Sequence, residues 1–300
     1  MDTDIIHPFG DHAEWNESFY FNFYDRERDV CAFMRIGLKP NKDEKSMFCF
    51  LMLPGGRIVG MRSQAPFADD SLKAGGLAFD RLEPEKRWRL RYDGPMATLQ
   101  GRDPVKASFD VEFETLNPVF DYRQCVSGEK ERISQSVASE HLEQFGRARG
   151  SVVVGERAFA IDGLGERDHS WGVREWAAPK MWIWLTAEFS ESCALNVTHL
   201  EVDQGEVDAG FFHLEGESRP LTDAAIDTAF GPDGSPRALA MVLKDKAGKE
   251  YRVTAEIIRT AMLPFEGGAG RSAVMYETLA RYVFDGQTGY GIAEYLIRMD

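Results

Sequence analysis

Residues 165 to 176 read GERDHSWGVREW and bring Glu166, Asp168, His169, Arg174 and two tryptophans, Trp171 and Trp176, into one short stretch. On a strand, alternation puts Arg167, His169 and Trp171 on one side and Glu166, Asp168 and Ser170 on the other. An imidazole beside an indole suits proton transfer next to a surface that stabilises positive charge. A cation over an aromatic face gains about 0.5–2 kcal/mol, depending on desolvation. The same pair also occurs as aromatic packing with one hydrogen bond satisfied, and Asp168 with Arg174 as an ion pair fixing the turn after Gly172.

Trp171, Trp176, Trp182 and Trp184 are four of the six tryptophans, gathered in one short region. If MWIWLTAEF is a strand, Trp182, Trp184, Thr186 and Glu188 share one face, and Met181, Ile183, Leu185, Ala187 and Phe189 share the other. The second face reads as core. The first, graded from indole to carboxylate, suits the inside of a barrel or cleft holding an apolar ligand with one polar end. Further polar candidates follow in ALNVTHLEV, with Asn196, Thr198 and His199, and in GYGIAEYLIR, with Tyr290 and Glu294. Glu294 sits among Tyr290, Ile292, Ala293 and Tyr295, where burial would raise its pKa and suit a general acid. An ion pair with Arg281 or Arg298 is the alternative. His141, Glu143, Gln144 and Arg147 in SEHLEQFGRARG form either a polar network at a domain junction or a solvated helix end.

Several machineries are not encoded. The sequence has no G-x-S-x-G, Walker A, H-E-x-x-H or strand-borne G-x-G-x-x-G motif. No cofactor is therefore expected. The six histidines include no i, i+2 or i, i+4 pair, so no metal centre is expected either.

The elements that must position these residues are β. SFYFNFYDRERDVCAFMRIGLKP places Phe19, Phe21 and Phe23 on one parity ahead of a charged turn and a second apolar run. SMFCFLMLPGGRIVGMRS repeats the pattern with Pro54, Gly55 and Gly56 as the turn, and later segments continue it. Short helices are expected in DEKSM, over Ser134 to Gly146, and over 221 to 230, where Thr222 or Asp223 would cap. The chain reads as mainly β, built as two consecutive antiparallel barrels or sandwiches with few short helices. The polar stretch near 140–150 places the boundary between residues 1–145 and 146–300.

With 49 Asp+Glu against 35 Lys+Arg, the net charge of -14 opposes binding to a phosphate backbone, so nucleic acid is not an expected partner. Neither a signal-like N-terminus nor a membrane-length apolar run is present, and Cys31, Cys49, Cys125 and Cys193 are scattered without a CxxC pair. A cytoplasmic location is expected. The partner expected is a hydrophobic small molecule, and a homodimer is allowed.

HLEQFGRARG, the Gly163 turn, ERDHSWGVREW, MWIWLTAEF and the terminal GYGIAEY together resemble the AttH/CrtC-like family, which includes carotenoid 1,2-hydratase. The likeness is clearest over residues 138–200 and 276–296. It implies two lipocalin-like domains with the ligand site in a barrel interior near their junction, and an activity such as alkene hydration or Diels–Alder cyclisation. The hydratases use a His-x-Trp on one strand with a Tyr-x-Asp on a later one, the Asp protonating the alkene. His169 and Trp171 match the first element. Asn196 and Thr198 stand where Tyr and Asp would be required, so Asp168, Glu188 or Glu294 would have to supply the acid. The expected function is a hydratase/dehydratase or isomerase acting on a terpenoid, steroid or aromatic molecule. A non-catalytic carrier and a shape-driven cyclase are the alternatives.

Overall fold

The computed structural model describes residues 3–126, 128, 131, 133, 140–174, 179–266 and 272–299. The first eleven strands are β1 (Trp15–Asp25), β2 (Val30–Lys39), β3 (Glu44–Leu53), β4 (Arg57–Ala65), β5 (Lys73–Ala74), β6 (Leu77–Glu83), β7 (Arg87–Thr98), β8 (Pro104–Thr115), β9 (Phe120–Asp121), β10 (Glu140–Val154) and β11 (Arg157–Val173). The remaining eight are β12 (Met181–Ser190), β13 (Cys193–Val202), β14 (Gly205–Leu214), β15 (Glu217–Phe230), β16 (Pro236–Asp245), β17 (Glu250–Glu266), β18 (Ser272–Phe284) and β19 (Gln287–Met299). The chain forms two compact units, Met1–Val119 with His141–Val173 and Phe120–Glu140 with Arg174–Asp300. Residue 145, where the polar stretch suggested a boundary, lies inside β10.

In the first unit the strand order is β4-β3-β2-β1-β11-β10-β8-β7-β6-β5, and β4 also pairs with β7 through Val59 and Gly60, which closes the sheet on itself. Its interior is filled by alternate residues of each strand. Phe19, Phe21 and Phe23 supply β1's share, as their common parity predicts, packed with Met34, Ile36, Leu51, Leu90, Val111 and Phe113. Gly55 and Gly56, both at positive φ, make the β3–β4 turn that the PGG signal marked. The second unit is a closed barrel of β12 to β19 in sequential order. Ile183, Leu185, Val197, Phe212, Leu243, Tyr251, Tyr282 and Tyr295 belong to its core.

The helical expectations do not hold where the structure describes them. DEKSM runs into β3 after a single 3-10 turn at Pro40–Lys42. Residues 140–146 begin β10, and 134–139 lie outside the described residues. Residues 221–230 belong to β15, where Ala224, Ile226 and Thr228 are buried or half-buried and Asp223, Ala225, Asp227 and Ala229 are exposed. That is a period of two, and pairing with β16 overrides the helix propensity of the alanines. No helix among the described residues is long and apolar enough to cross a membrane.

β1 and β11 approach closely at Gly165. A Cβ there would meet the Asn22 carbonyl and sit 2.6 Å from Phe23 Cα, both on β1. Because the obstruction is backbone, it cannot be relieved by a rotamer change. Gly165→Ala is expected to destabilise the first unit by about 3 kcal/mol, the upper end of overpacking costs. Denaturant unfolding checks this, and a loss below about 0.5 kcal/mol, the range of neutral surface changes, would remove the close-approach argument.

Candidate functional site

β1 and β11 run antiparallel with Glu17 opposite Trp171, Phe19 opposite His169 and Phe21 opposite Arg167. All six are on the parity that faces the interior of the first unit. Along this strand pair the inner surface therefore passes from phenyl rings to a carboxyl, an imidazole, a guanidinium and an indole. The third contributor is the segment Thr3–His7. Arg167 donates to Asp4 Oδ1 at 2.8 Å and to Gln144 Oε1 at 2.8 Å, and the Glu85 backbone N–H donates to Asp4 Oδ2 at 2.6 Å. These contacts fasten the segment where His7 reaches Glu17.

His7 lies flat on Trp171, with ring centroids 3.7 Å apart and planes 8° from parallel. Its backbone N–H donates to Glu17 Oε2 at 3.0 Å, and its Nδ1 is 2.7 Å from Glu17 Oε1. His169 Nε2 approaches the same Oε1 at 2.9 Å, while its Nδ1 lies 2.7 Å from the Thr3 carbonyl. Phe19 stacks on His169 at 3.9 Å, and Trp171 is tilted against it at 4.9 Å. Glu17 and His169 are fully buried.

The protons follow from these partners. A carbonyl only accepts, so His169 Nδ1 carries the hydrogen donated to Thr3. Burial, with the Arg167 charge and His7 nearby, pushes the His169 pKa well below its usual value, so the ring is neutral and Nε2 offers a lone pair. Burial also raises the Glu17 pKa to about 8, against a smaller opposing pull from the His7 N–H. Glu17 is therefore protonated at neutral pH. Its Oε1–H donates to His169 Nε2, and His7 Nδ1–H donates to the same oxygen. A chain of hydrogen bonds runs from His7 through Glu17 and His169 to Thr3, and it satisfies every donor atom that converges there.

This proton has a cost in stability as pH rises. The native carboxyl keeps its proton to about 8, whereas an ordinary one releases it near 4.5, so the folded state binds more protons across that window and loses stability towards its upper end. His169, held neutral, acts oppositely and only below its usual 6.5. Between pH 6.5 and 8, wild type is expected to lose up to about 1.4 kcal/mol per pH unit relative to Glu17→Gln. Parallel denaturation curves for the two proteins would sink this assignment.

The structure joins some of the sequence candidates and separates others. His169 and Trp171 do share a face and a site. Asp168 faces the opposite side of β11, where His141 Nε2 contacts it and also lies 2.8 Å from Glu143 Oε1. Burial would lower the His141 pKa, but the two carboxylates outweigh it and lift it to about 9. Glu294 belongs to the other unit, half-buried opposite Trp184 and Glu277 on the face away from the barrel core. Tyr290, also half-buried, stands opposite Glu188 and Arg281.

Trp182 and Trp184 are buried, but on the outer face of β12, because Ile183, Leu185 and Ala187 take the barrel interior. Of the barrel or cleft interior expected for the tryptophan face, the barrel interior is corrected: here the apolar parity of β12 fills it. Arg174 lies 5.2 Å above Trp182, and Trp176 is outside the described residues. His199 Nδ1 is 2.8 Å from Asp208, which raises its pKa, and Asn196 and Thr198 both bond the Tyr122 hydroxyl. Glu188 is buried and pushed up to about 8 by that burial. Glu17 differs in having two imidazoles on one carboxyl oxygen.

Sequence reasoning missed Glu17 and His7. Glu17 had a signal: in WNESFYFNF it is an acid on the parity of Phe19, Phe21 and Phe23, which places a carboxyl on a core face. His7 lies outside any periodic run and had none.

Two closed antiparallel sheets give the chain a lipocalin-like fold. An AttH-type protein of Nitrosomonas europaea superposes with a TM-score of 0.66 at 13% identity, over 94% of this chain and 92% of that one. Kievitone hydratase from Nectria haematococca gives 0.65 at 10% identity, over 93% and 88%, and CghA bound to Sch210972 gives 0.62 at 8%, over 95% and 89%. No curated protein matches the sequence. The chain belongs to the family described as domain of unknown function DUF7064, whose model spans residues 1–298.

Proposed function

We propose that the chain is a cofactor-independent enzyme, a hydratase/dehydratase or isomerase, that protonates a hydrophobic substrate with Glu17. The observation carrying this reading is a buried carboxyl that keeps its proton at neutral pH between two imidazoles and beside an indole. Such a group is matched to general-acid work. Glu17 Oε1–H gives its proton to an alkene carbon or a leaving hydroxyl. The cation that forms is stabilised by the aromatic faces of Trp171 and Phe19 and by the new carboxylate. In hydration, water adds to the cation and its surplus proton returns to Glu17, directly or through His169 Nε2, so water is the sole co-reactant. His7 and Trp171, the half-buried members, mark the side from which substrate arrives.

Kievitone hydratase supports this chemistry through its name alone, so kievitone and simple isoprenoid alkenes are the first probes. In water enriched in ¹⁸O, wild type is expected to yield product carrying one heavy oxygen, and Glu17→Gln none. A carrier would give no product, and a cyclase a product without label. Turnover by Glu17→Gln at the wild-type rate would overturn the assignment of the acid.

A further inference from the structure

On the face of β11 opposite the Glu17 site, a second group of donors converges. His141 and Glu143, two residues apart on β10, point to the same side of that strand, and Asp168 meets them from the adjacent β11. His141 Nε2 lies 2.8 Å from Glu143 Oε1 and closer still to Asp168 Oδ2, and one donor atom from each side chain falls within 4.8 Å of the others. The His141 and Glu143 side chains are 8% and 0% exposed and that of Asp168 12%, so bulk water does little to keep the two carboxylates apart.

We propose that His141, Glu143 and Asp168 form a binding site for a divalent transition metal ion, Zn²⁺ being the chemical match. A cation placed between them would bond one donor atom from each of the three side chains at once. An ion about 2.1 Å from each donor in tetrahedral geometry sets the donors roughly 3.4 Å apart, a small opening of the present cluster. One imidazole with two carboxylates and no thiolate suits Zn²⁺. Ca²⁺ needs about six to eight oxygens, more than this group supplies. Two ligands at i, i+2 on one strand and a third across the ladder is a rigid arrangement, and it escaped a search for paired histidines because its partner at i+2 is a glutamate. His7, Glu17 and His169 are as closely grouped, but their hydrogen-bond chain already terminates on the Thr3 carbonyl.

The test uses the full chain, stripped with chelator and titrated with ZnCl₂, with bound metal measured after gel filtration. Wild type is expected to retain about one equivalent, and His141→Ala and Asp168→Asn to bind at least about tenfold more weakly. Glu17→Gln should bind like wild type. Glu143→Gln keeps shape and hydrogen-bonding capacity, and it serves in place of His141→Ala if that variant does not fold, as judged by near-ultraviolet circular dichroism. Co²⁺ substitution should give a visible absorption band of nitrogen and oxygen ligation that Asp168→Asn removes. Substoichiometric binding by wild type, unchanged binding in Asp168→Asn and Glu143→Gln, or loss confined to Glu17→Gln would each overturn the proposal.

Discussion

Glu17→Gln is expected to lower turnover by about 10²–10⁴-fold, the range general acids contribute, while leaving ligand binding measurable as quenching of tryptophan fluorescence. The amide keeps the size of the carboxyl but has no proton to give. The pH profile should have its descending limb near 8, because the acid works only while protonated and burial holds its proton to about that value. Glu294→Gln provides the contrast. That carboxyl sits half-buried in the other unit, so the rate should stay within about threefold of wild type, as for a surface change away from the chemistry. If Glu294→Gln abolishes turnover and Glu17→Gln spares it, the acid lies in the second unit and the proposed site is wrong.

Strand parity made part of this site legible. The alternation of GERDHSW correctly put Arg167, His169 and Trp171 on one face, because a strand's side chains have a period of two whatever else it packs against. Parity also assigned the Ile183, Leu185 and Ala187 face of MWIWLTAEF to the core, as found, but could not say what covers the tryptophan face, which is buried on the outside of the barrel. The partner acid was hidden for a different reason. Glu17 is separated from His169 by 152 positions and reaches it only through the β1–β11 pairing, a register that no local pattern specifies. His7 was more distant from inference still, since it stands on a segment held by side-chain bonds and not by a ladder.

The AttH/CrtC likeness implies a Tyr-x-Asp on β13, and this chain carries Asn196 and Thr198 there. Asn196 and Thr198 are occupied with Tyr122 of their own unit. The carboxyl beside His169 comes from β1, which pairs with β11 in the first unit.

Arg167→Met should show how far that frame depends on a residue that does not touch the reacting atoms. Arg167 is buried and pairs with buried Asp4 at 2.8 Å, so its removal strands a carboxylate in the interior at a cost of about 3–5 kcal/mol. Asp4→Asn combined with Arg167→Met should recover part of that loss, a coupling that a double-mutant cycle reads directly. The catalytic consequence is separate from the stability. Asp4 anchors the segment that carries the Thr3 carbonyl and His7, so its release should loosen the His7–Trp171 stack and shift tryptophan emission. The Arg167 charge is also one of the forces keeping His169 neutral. Without it the Glu17–His169 pair holds its shared proton more tightly, because a positive charge that opposes protonation is gone, and the descending limb of the activity profile should shift to the alkaline side. A variant that is merely less stable would lose amplitude with the limb unmoved, and that outcome would reduce Arg167 to a structural ion pair.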